Sequence, residues 1–402
     1  MGEERSRRAF LSKLVLGTQQ VVENAGGHTL VCIFLRGGAD TLNMVAPYGD
    51  PTYYKVRPTI AIPAPGKKPN SGLKLDDFYA FHPKLAPLLP IFHSGELGIV
   101  QGVGTDNPTG SHFDAQDQME HGCAYGMPVN GGWLGRYLRT RVGEQLTPLS
   151  AVAIGEVIPE SFRGSPVTTA IRAIDQIHLD LPAEDTDAVC AALSKMYAAD
   201  VGILKEPGSS TVQLLKRVEK LKSKSYKAEQ GAVYADDRFS QGLKEIARLI
   251  KADVGLEVAC LDLDGWDTHF FQGGAEGLQA SLIDQLAKGM SAFYKDLHAY
   301  NRRVTTIAIT EFGRRIYENG SLGTDHGRGF AFFAMGAGVS GGKVHGLYPG
   351  LQDDQYDLGP GGMKITCDYR SVLAEILAWR KAPTAEIFPG LDMKPPGLIV
   401  AS

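Results

Sequence analysis

The chain alternates short, unbroken apolar runs with longer amphipathic stretches. Thr29–Leu35 (TLVCIFL) is the first run, brief, rich in β-branched residues and closed by Arg36-Gly37-Gly38. A run with no polar alternation predicts a strand covered on both faces, as in a parallel sheet. Leu97–Val103 (LGIVQGV) repeats the pattern after a helix-like stretch from Pro83 to Ser94, and Ser150–Ile154 is a shorter third run. Leu256–Leu263 (LEVACLDL) and Val304–Thr310 (VTTIAIT) are the clearest later strands, with Phe330–Met335 beyond them. Between those two, Leu278–Tyr300 is apolar at Leu278, Leu282, Ile283, Leu286, Met290, Phe293 and Leu297, which is helical spacing. Strand, helix and strand over this length predict a βαβ unit, hence parallel pairing with a right-handed crossover. Asp368–Trp379 adds a candidate N-cap followed by a helical stripe.

The segment from about 184 to 251 breaks this rhythm. It is charged, helical in period and short of strands, so it reads as a helical insertion packed on the sheet. No heptad persists through it, which excludes a coiled coil. The expectation is one α/β domain over 29–402 with a mostly parallel central sheet and helices on both faces. Composition agrees: 43% of the 402 residues are hydrophobic and 21% charged, which is globular rather than disordered. The net charge of −4 carries no basic footprint, so a nucleic-acid partner is not expected. No run reaches the ~18 apolar residues that read as a membrane span. The five cysteines form no CxxC pair, and Cys32 and Cys260 sit inside apolar runs, as structural thiols do. Residues 1–28 contain Ser6-Arg7-Arg8-Ala9-Phe10-Leu11 without a strongly apolar sequel. They read as a degenerate twin-arginine signal of a periplasmic protein or as the N-terminal tail of a cytoplasmic one.

In open α/β sheets the working site lies outside the carboxyl ends of the strands. The first strand is followed by Arg36 through Asn43, including Asp40 and Thr41. The Leu256–Leu263 strand is followed by Asp264-Gly265-Trp266-Asp267-Thr268-His269. After Val304–Thr310 come Glu311, Arg314 and then Asp325-His326, and beyond Phe330–Met335 comes His345. Carboxylates and imidazoles thus follow several strands, and those donors suit a Zn²⁺, Mn²⁺ or Mg²⁺ centre. A lone strand-end Asp is commonly a helix cap, so the expectation rests on convergence. The Gly336-Ala337-Gly338-Val339-Ser340-Gly341 run matches a dinucleotide fingerprint in letters only, because no helix is expected after it.

Taken in order, LRGGADTLN, GSHFDAQD, GWDTHFFQ, TEFGRR and GTDHG resemble the bacterial domain of unknown function 1501 family, over about Leu30 to Pro389. That family is grouped with the alkaline phosphatase and sulfatase superfamily. The resemblance implies an alkaline phosphatase-like three-layer sandwich and a metal-dependent hydrolase of phosphate or sulfate esters, on a small-molecule or polymer substrate. It implies metal ligands at Asp40, Asp267, His269, Asp325, His326 and His345, with Glu311 in the place of a ligand directly after its strand. It implies a hydroxyl nucleophile at Ser111, with Thr41 as the rival, and anion clamping by Arg36 or Arg314. The cofactor implied is a divalent metal, Zn or Mn, with Mg or Ca as alternatives. A pair of cations ~3.5–4 Å apart would flank the reacting oxygens. Two alternatives stay open, a catalytically degenerate binding module and a phosphomutase-like isomerase. Cys123 lacks the sulfatase context, which argues against a formylglycine enzyme. Oligomeric state and substrate identity are not readable from the sequence.

Overall fold

The computed structural model describes residues 27–141, 146–179, 182–199, 202, 205–222, 226–351 and 361–400. The twin-arginine reading of the tail falls, through residue 26, outside the described residues. The main sheet has nine strands: β1 (Thr29–Leu35), β2 (Leu97–Gly104), β3 (Ala151–Ile154), β4 (Thr169–Ile171), β5 (Val258–Leu263), β6 (Val304–Ile309), β7 (Phe330–Gly336), β8 (Val344–His345) and β9 (Cys367–Asp368). Their order is β8-β2-β7-β6-β1-β5-β3-β4, with β9 also pairing β2. A small three-stranded sheet of Val45–Ala46, Ala80–Phe81 and Leu73–Lys74 stands apart.

β1 is central and pairs in parallel with both β5 and β6, setting Cys32 opposite Cys260 and Ile307. Its residues are buried almost throughout, which explains the unbroken apolar run. Val31, Ile33 and Leu35 enter one core, with Phe239, Leu243 and Ile246 of helix Arg238–Lys251 and Ile283, Met290 and Phe293 of helix Leu278–Asp296. Leu30 and Cys32 enter the opposite core, with Trp133 and Tyr137 of helix Trp133–Arg139 and Val372 and Ile376 of helix Tyr369–Trp379. Period-two alternation along one strand therefore feeds helices on both faces. Asp368 caps helix Tyr369–Trp379, accepting from the Arg370 N–H at 2.8 Å. Leu278 departs from the expected stripe: it opens its helix at 59% exposure, while Ile283, Leu286, Met290 and Phe293 are buried.

Within 184–251, helices Ala183–Ala199 and Lys205–Lys222 pack on each other, Val218 and Leu221 of the second reach the main core, and Arg238–Lys251 belongs to that core. No described helix is long and apolar enough to cross a membrane. All five cysteines are free and buried.

One strand reverses the parallel plan. β7 runs antiparallel to both β6 and β2. It therefore begins at the edge where β1, β2, β5 and β6 end. Residues just before β7 arrive at that edge, and residues after it are carried to the opposite one. This single reversal decides which sequence motifs meet.

Candidate functional site

Four chain segments meet at the shared edge. The loop after β5 is anchored by Trp266, whose side chain is fully buried in the main core, a burial contributing roughly 2–3 kcal/mol. Asp267, next in sequence, is half exposed. Its Oδ1 lies 3.4 Å from His112 Nε2, 3.1 Å from His269 Nε2 and 3.3 Å from His326 Nε2. The Nε2 atoms of His269 and His326 are 2.9 Å apart. His112 opens helix α1 (His112–His121), reached from β2, and His326 immediately precedes β7. The backbone allows this approach because Gly37, at φ +117, lies where a Cβ would stand 2.6 Å from the Asp267 nitrogen.

The other ring nitrogens set the protonation pattern. His326 Nδ1 lies 2.8 Å from the Gly110 carbonyl, which only accepts, so Nδ1 carries the proton. His112 Nδ1 donates to Glu311 Oε1 at 2.8 Å, and His269 Nδ1 donates to Asp325 Oδ1 at 2.9 Å. With Nδ1 as the donor on each ring, the three Nε2 atoms are turned towards one carboxylate oxygen. Unprotonated Nε2 atoms this close to one another and to a carboxylate repel unless a proton or a cation sits among them, and Arg314 reaches Asp267 alone. His112 Nε2 is buried and has no hydrogen-bond partner. The separations of 3.3–3.4 Å from Asp267 Oδ1 to the Nε2 atoms of His112 and His326 match the ~3.3 Å ligand–ligand edges of a site with bonds of about 2.0–2.1 Å. His112, Asp267 and His326 alone offer donor atoms within 4.8 Å of one another, the one such group among the described residues. The residues present therefore fit a divalent metal.

Partners behind the ligands hold this arrangement. Burial opposes ionisation of Glu311, but hydrogen bonds from His112 and Gln116 keep its carboxyl below the usual range. It also accepts from the Gly37 N–H at 2.9 Å. Asn319 Nδ2 donates to Asp325 Oδ1 and to the His269 carbonyl, both at 3.0 Å. Burial also opposes the Asp267 charge, yet the hydrogen bond and charge of Arg314, then His269 and His112, bring it down to about 2. Burial would lower His112, but Glu311 and Asp267 outweigh it and raise the ring. His326 is lowered by burial, with Arg314 and His112 adding to the effect. Phe312 packs against both His112 and His326, with ring centroids 4.8 Å from each.

The expected residues separate into three groups. Asp267, His269 and His326 share the cluster. Glu311 and Asp325 stand one shell back, bonded to the histidines. Others are elsewhere. Asp40 is fully buried in an ion pair with Arg57 at 2.5 Å and accepts from Gln272 Nε2 at 2.7 Å, both through Oδ2, while Oδ1 is buried without a hydrogen-bond partner, so its expected place as a ligand of this centre is corrected to a separate buried ion pair. Thr41 is buried, its Oγ1 accepting from the Ala331 N–H at 2.8 Å, which withdraws it as a nucleophile. His345 is bonded to the Ser340 carbonyl at 2.7 Å, and it follows the reversed β7, so it never reaches this edge. Arg36 is held by Glu120 and Asp262 rather than open to an anion. Arg314 is buried, spending its guanidinium on backbone carbonyls of Gly37, Gly38, Trp266 and Thr324 and on Asp267. Ser111 caps α1, its Oγ accepting from the Asp114 N–H at 3.3 Å, directly before His112.

His112 itself was not expected. It sits in Gly110-Ser111-His112-Phe113, where attention to the hydroxyl hid the imidazole beside it. The signal available was positional: His112 also follows a buried strand that ends at the same edge.

The sequence matches the profile of the family described as "Protein of unknown function (DUF1501)" over residues 102–358. No curated protein matches it. Solved structures with a similar course of chain include the PsFucS1 sulfatase from Pseudoalteromonas sp., at 12% identity over 99% of this chain and 77% of that one, with a TM-score of 0.38. The C-terminal periplasmic domain of EcEptC from Escherichia coli, in complex with Zn, matches at 10% identity over 78% and 73%, with a TM-score of 0.35. The alkaline phosphatase of the Antarctic bacterium TAB5 matches at 8% identity over 78% and 92%, with a TM-score of 0.32. At these scores the likeness brings no chemistry to this chain.

Proposed function

The chain belongs to the family of proteins of unknown function DUF1501, and from that premise we propose that it is a metal-dependent hydrolase of phosphate or sulfate esters. The observation that carries the reading is the set of three Nδ1-protonated histidines aiming Nε2 atoms at the Asp267 carboxylate. Imidazole and carboxylate donors favour Zn²⁺ or Mn²⁺ over Mg²⁺ or Ca²⁺, which take mainly oxygen ligands. A divalent cation bound there supplies Lewis-acid stabilisation of charge developing on an ester oxygen.

The chain's own residues divide the remaining work. His112, Asp267 and His326 would hold the cation, with His269 beside Asp267 and His326. Glu311 and Asp325 fix ring orientation, an outer-shell role that sets ligand basicity. Arg314 positions Asp267 and the Gly37-Gly38 turn. Ser111 is the hydroxyl nucleophile of this proposal, since it stands at the start of α1 beside a ligand. We place the activity in one domain over 29–402 on an alkaline phosphatase-like three-layer plan, with 184–251 as its insertion.

The test is turnover of 4-nitrophenyl phosphate and 4-nitrophenyl sulfate by the full chain after loading with Zn²⁺ or Mn²⁺. The expected result is hydrolysis of at least one ester, lost in His326→Ala and in Ser111→Ala, with metal retained only in the latter. A second reading, a degenerate relative that binds one ion without turnover, is favoured by the pairing of Asp40 with Arg57 away from the cluster. Stoichiometric metal with no hydrolysis of either ester would select it.

A further inference from the structure

The ligand loops carry large apolar side chains with nothing packed over them. Phe113, directly after His112, is 86% exposed. Phe270 and Phe271, directly after His269, are 66% and 71% exposed, and Leu322, four residues before His326, is 43% exposed. Scattered exposed apolar residues need no explanation, but a group beside one polar centre marks a contact surface.

The backbone beneath two of them is also unusual. Phe271 has φ +48 and Leu322 has φ +58, the left-handed region that bulky L-residues rarely adopt. Neither side chain recovers that cost by burial in the fold. The loops are nevertheless held firmly. The Phe271 N–H donates to the Ser321 carbonyl and the Gln272 N–H to the Leu322 carbonyl, both at 3.0 Å. Gly323 lies against the His269 carbonyl, where a Cβ would approach to 2.3 Å. Strained positions that the surrounding structure enforces are typical of ligand-contacting segments. A rigid apolar surface also loses little entropy on binding.

We infer that Phe113, Phe270, Phe271 and Leu322 form a preorganised rim that binds the apolar organic group of the ester whose anionic head sits at the His–Asp centre. This rests on the metal-site reading above and adds the class of substrate: an anion bearing an aryl ring or an alkyl chain, rather than inorganic phosphate or a small polar ester. The occupant is substrate because two of the loops carrying these side chains also carry the ligands.

The test uses stable anions, so turnover is not required. The full chain loaded with Zn²⁺ is titrated calorimetrically with methylphosphonate, phenylphosphonate and octylphosphonate. Phenyl or octyl is expected to bind about tenfold tighter than methyl, equivalent to the burial of roughly a ring face. The better of the two tells whether a ring or a chain is preferred. That margin is expected to collapse in Phe271→Asn, which tolerates positive φ, and to shrink in Phe113→Ser, with methylphosphonate affinity unchanged in both. Equal affinity for all three anions, or a margin that survives both substitutions, overturns the rim while leaving the metal centre standing. Failure of all three to bind the metal-loaded protein overturns the rim and the hydrolase reading together. Self-association that both substitutions abolish, with the three anions bound alike, assigns the rim to a second copy of the chain and also overturns the inference.

Discussion

Two groups of histidine and carboxylate lie at the same end of the sheet and are built on opposite principles. Around Asp40 every partner is internal. Arg57 Nη1 bonds both Asp40 and Asn43, Gln272 donates to Asp40, and Tyr53 donates to Asn43. His82, which feels the Asp40 charge, accepts from the Lys84 N–H at 3.0 Å and donates to the Gly274 carbonyl at 3.0 Å. Both its nitrogens are satisfied. Around Asp267 each histidine is bonded on Nδ1, the Nε2 atoms of His269 and His326 face each other, and His112 Nε2 has no hydrogen-bond partner. In the first group the donors the chain provides fall on Asp40 Oδ2 and Asn43 Oδ1, leaving Asp40 Oδ1 buried beside the paired charge of Arg57. In the second the chain's cation, Arg314, bonds Asp267 Oδ1 at 2.7 Å and leaves the Nε2 atoms without a partner of opposite charge. A strand-end carboxylate thus becomes a structural anchor or a ligand according to what the fold brings opposite it.

The largest effect expected from this contrast is on stability. Asp40→Ala leaves Arg57 buried without its counter-charge, which should cost about 3–5 kcal/mol. His112→Ala in metal-free protein removes a donor from buried Glu311 but leaves those of Gln116 and the Gly37 N–H, so it should cost less, about 1–3 kcal/mol. Denaturant unfolding compares the two, and equal costs would erase the distinction.

A second difference appears in acid. Burial pushes His82 down from 6.5 to about 4. The unfolded chain therefore takes up a proton as pH falls through 6.5, while the folded chain resists until about pH 4. Stability from this group is complete above pH 6.5 and declines towards pH 4, by up to about 3 kcal/mol. His82→Asn should flatten that part of the stability profile. An unchanged acid slope would place the titration elsewhere.

Smaller effects are expected behind the ligands. Asp325→Asn and Glu311→Gln should each weaken Zn²⁺ binding by about 10–100-fold in chelator competition. Retention of full affinity in both would mean that the Nδ1 partners do not orient the rings.

Much of this was legible in the chain before the fold. The buried runs placed β1, β5 and β6, and helical spacing placed the crossover between the last two. Asp267, His269 and His326 were singled out because they follow or flank those runs. Three features were not legible, each for a physical reason. An apolar run has no direction, so the antiparallel course of β7 was hidden and His345 was assigned to the wrong edge. Asp40 looks the same in sequence whether it meets a cation or Arg57, whose guanidinium comes from a loop 17 residues on. Ser111 and His112 are adjacent, and a Ser at a helix start draws the eye to capping or attack while the imidazole completes the cluster.

The most direct test of the central claim is metal content by elemental analysis, after Zn²⁺ reconstitution and removal of loose ion. The account predicts about one Zn²⁺ per chain, from the single cluster, lost in His326→Ala and Asp267→Ala and kept in His345→Ala. Native protein that holds no ion, or His326→Ala protein that holds as much as the native chain, would contradict it.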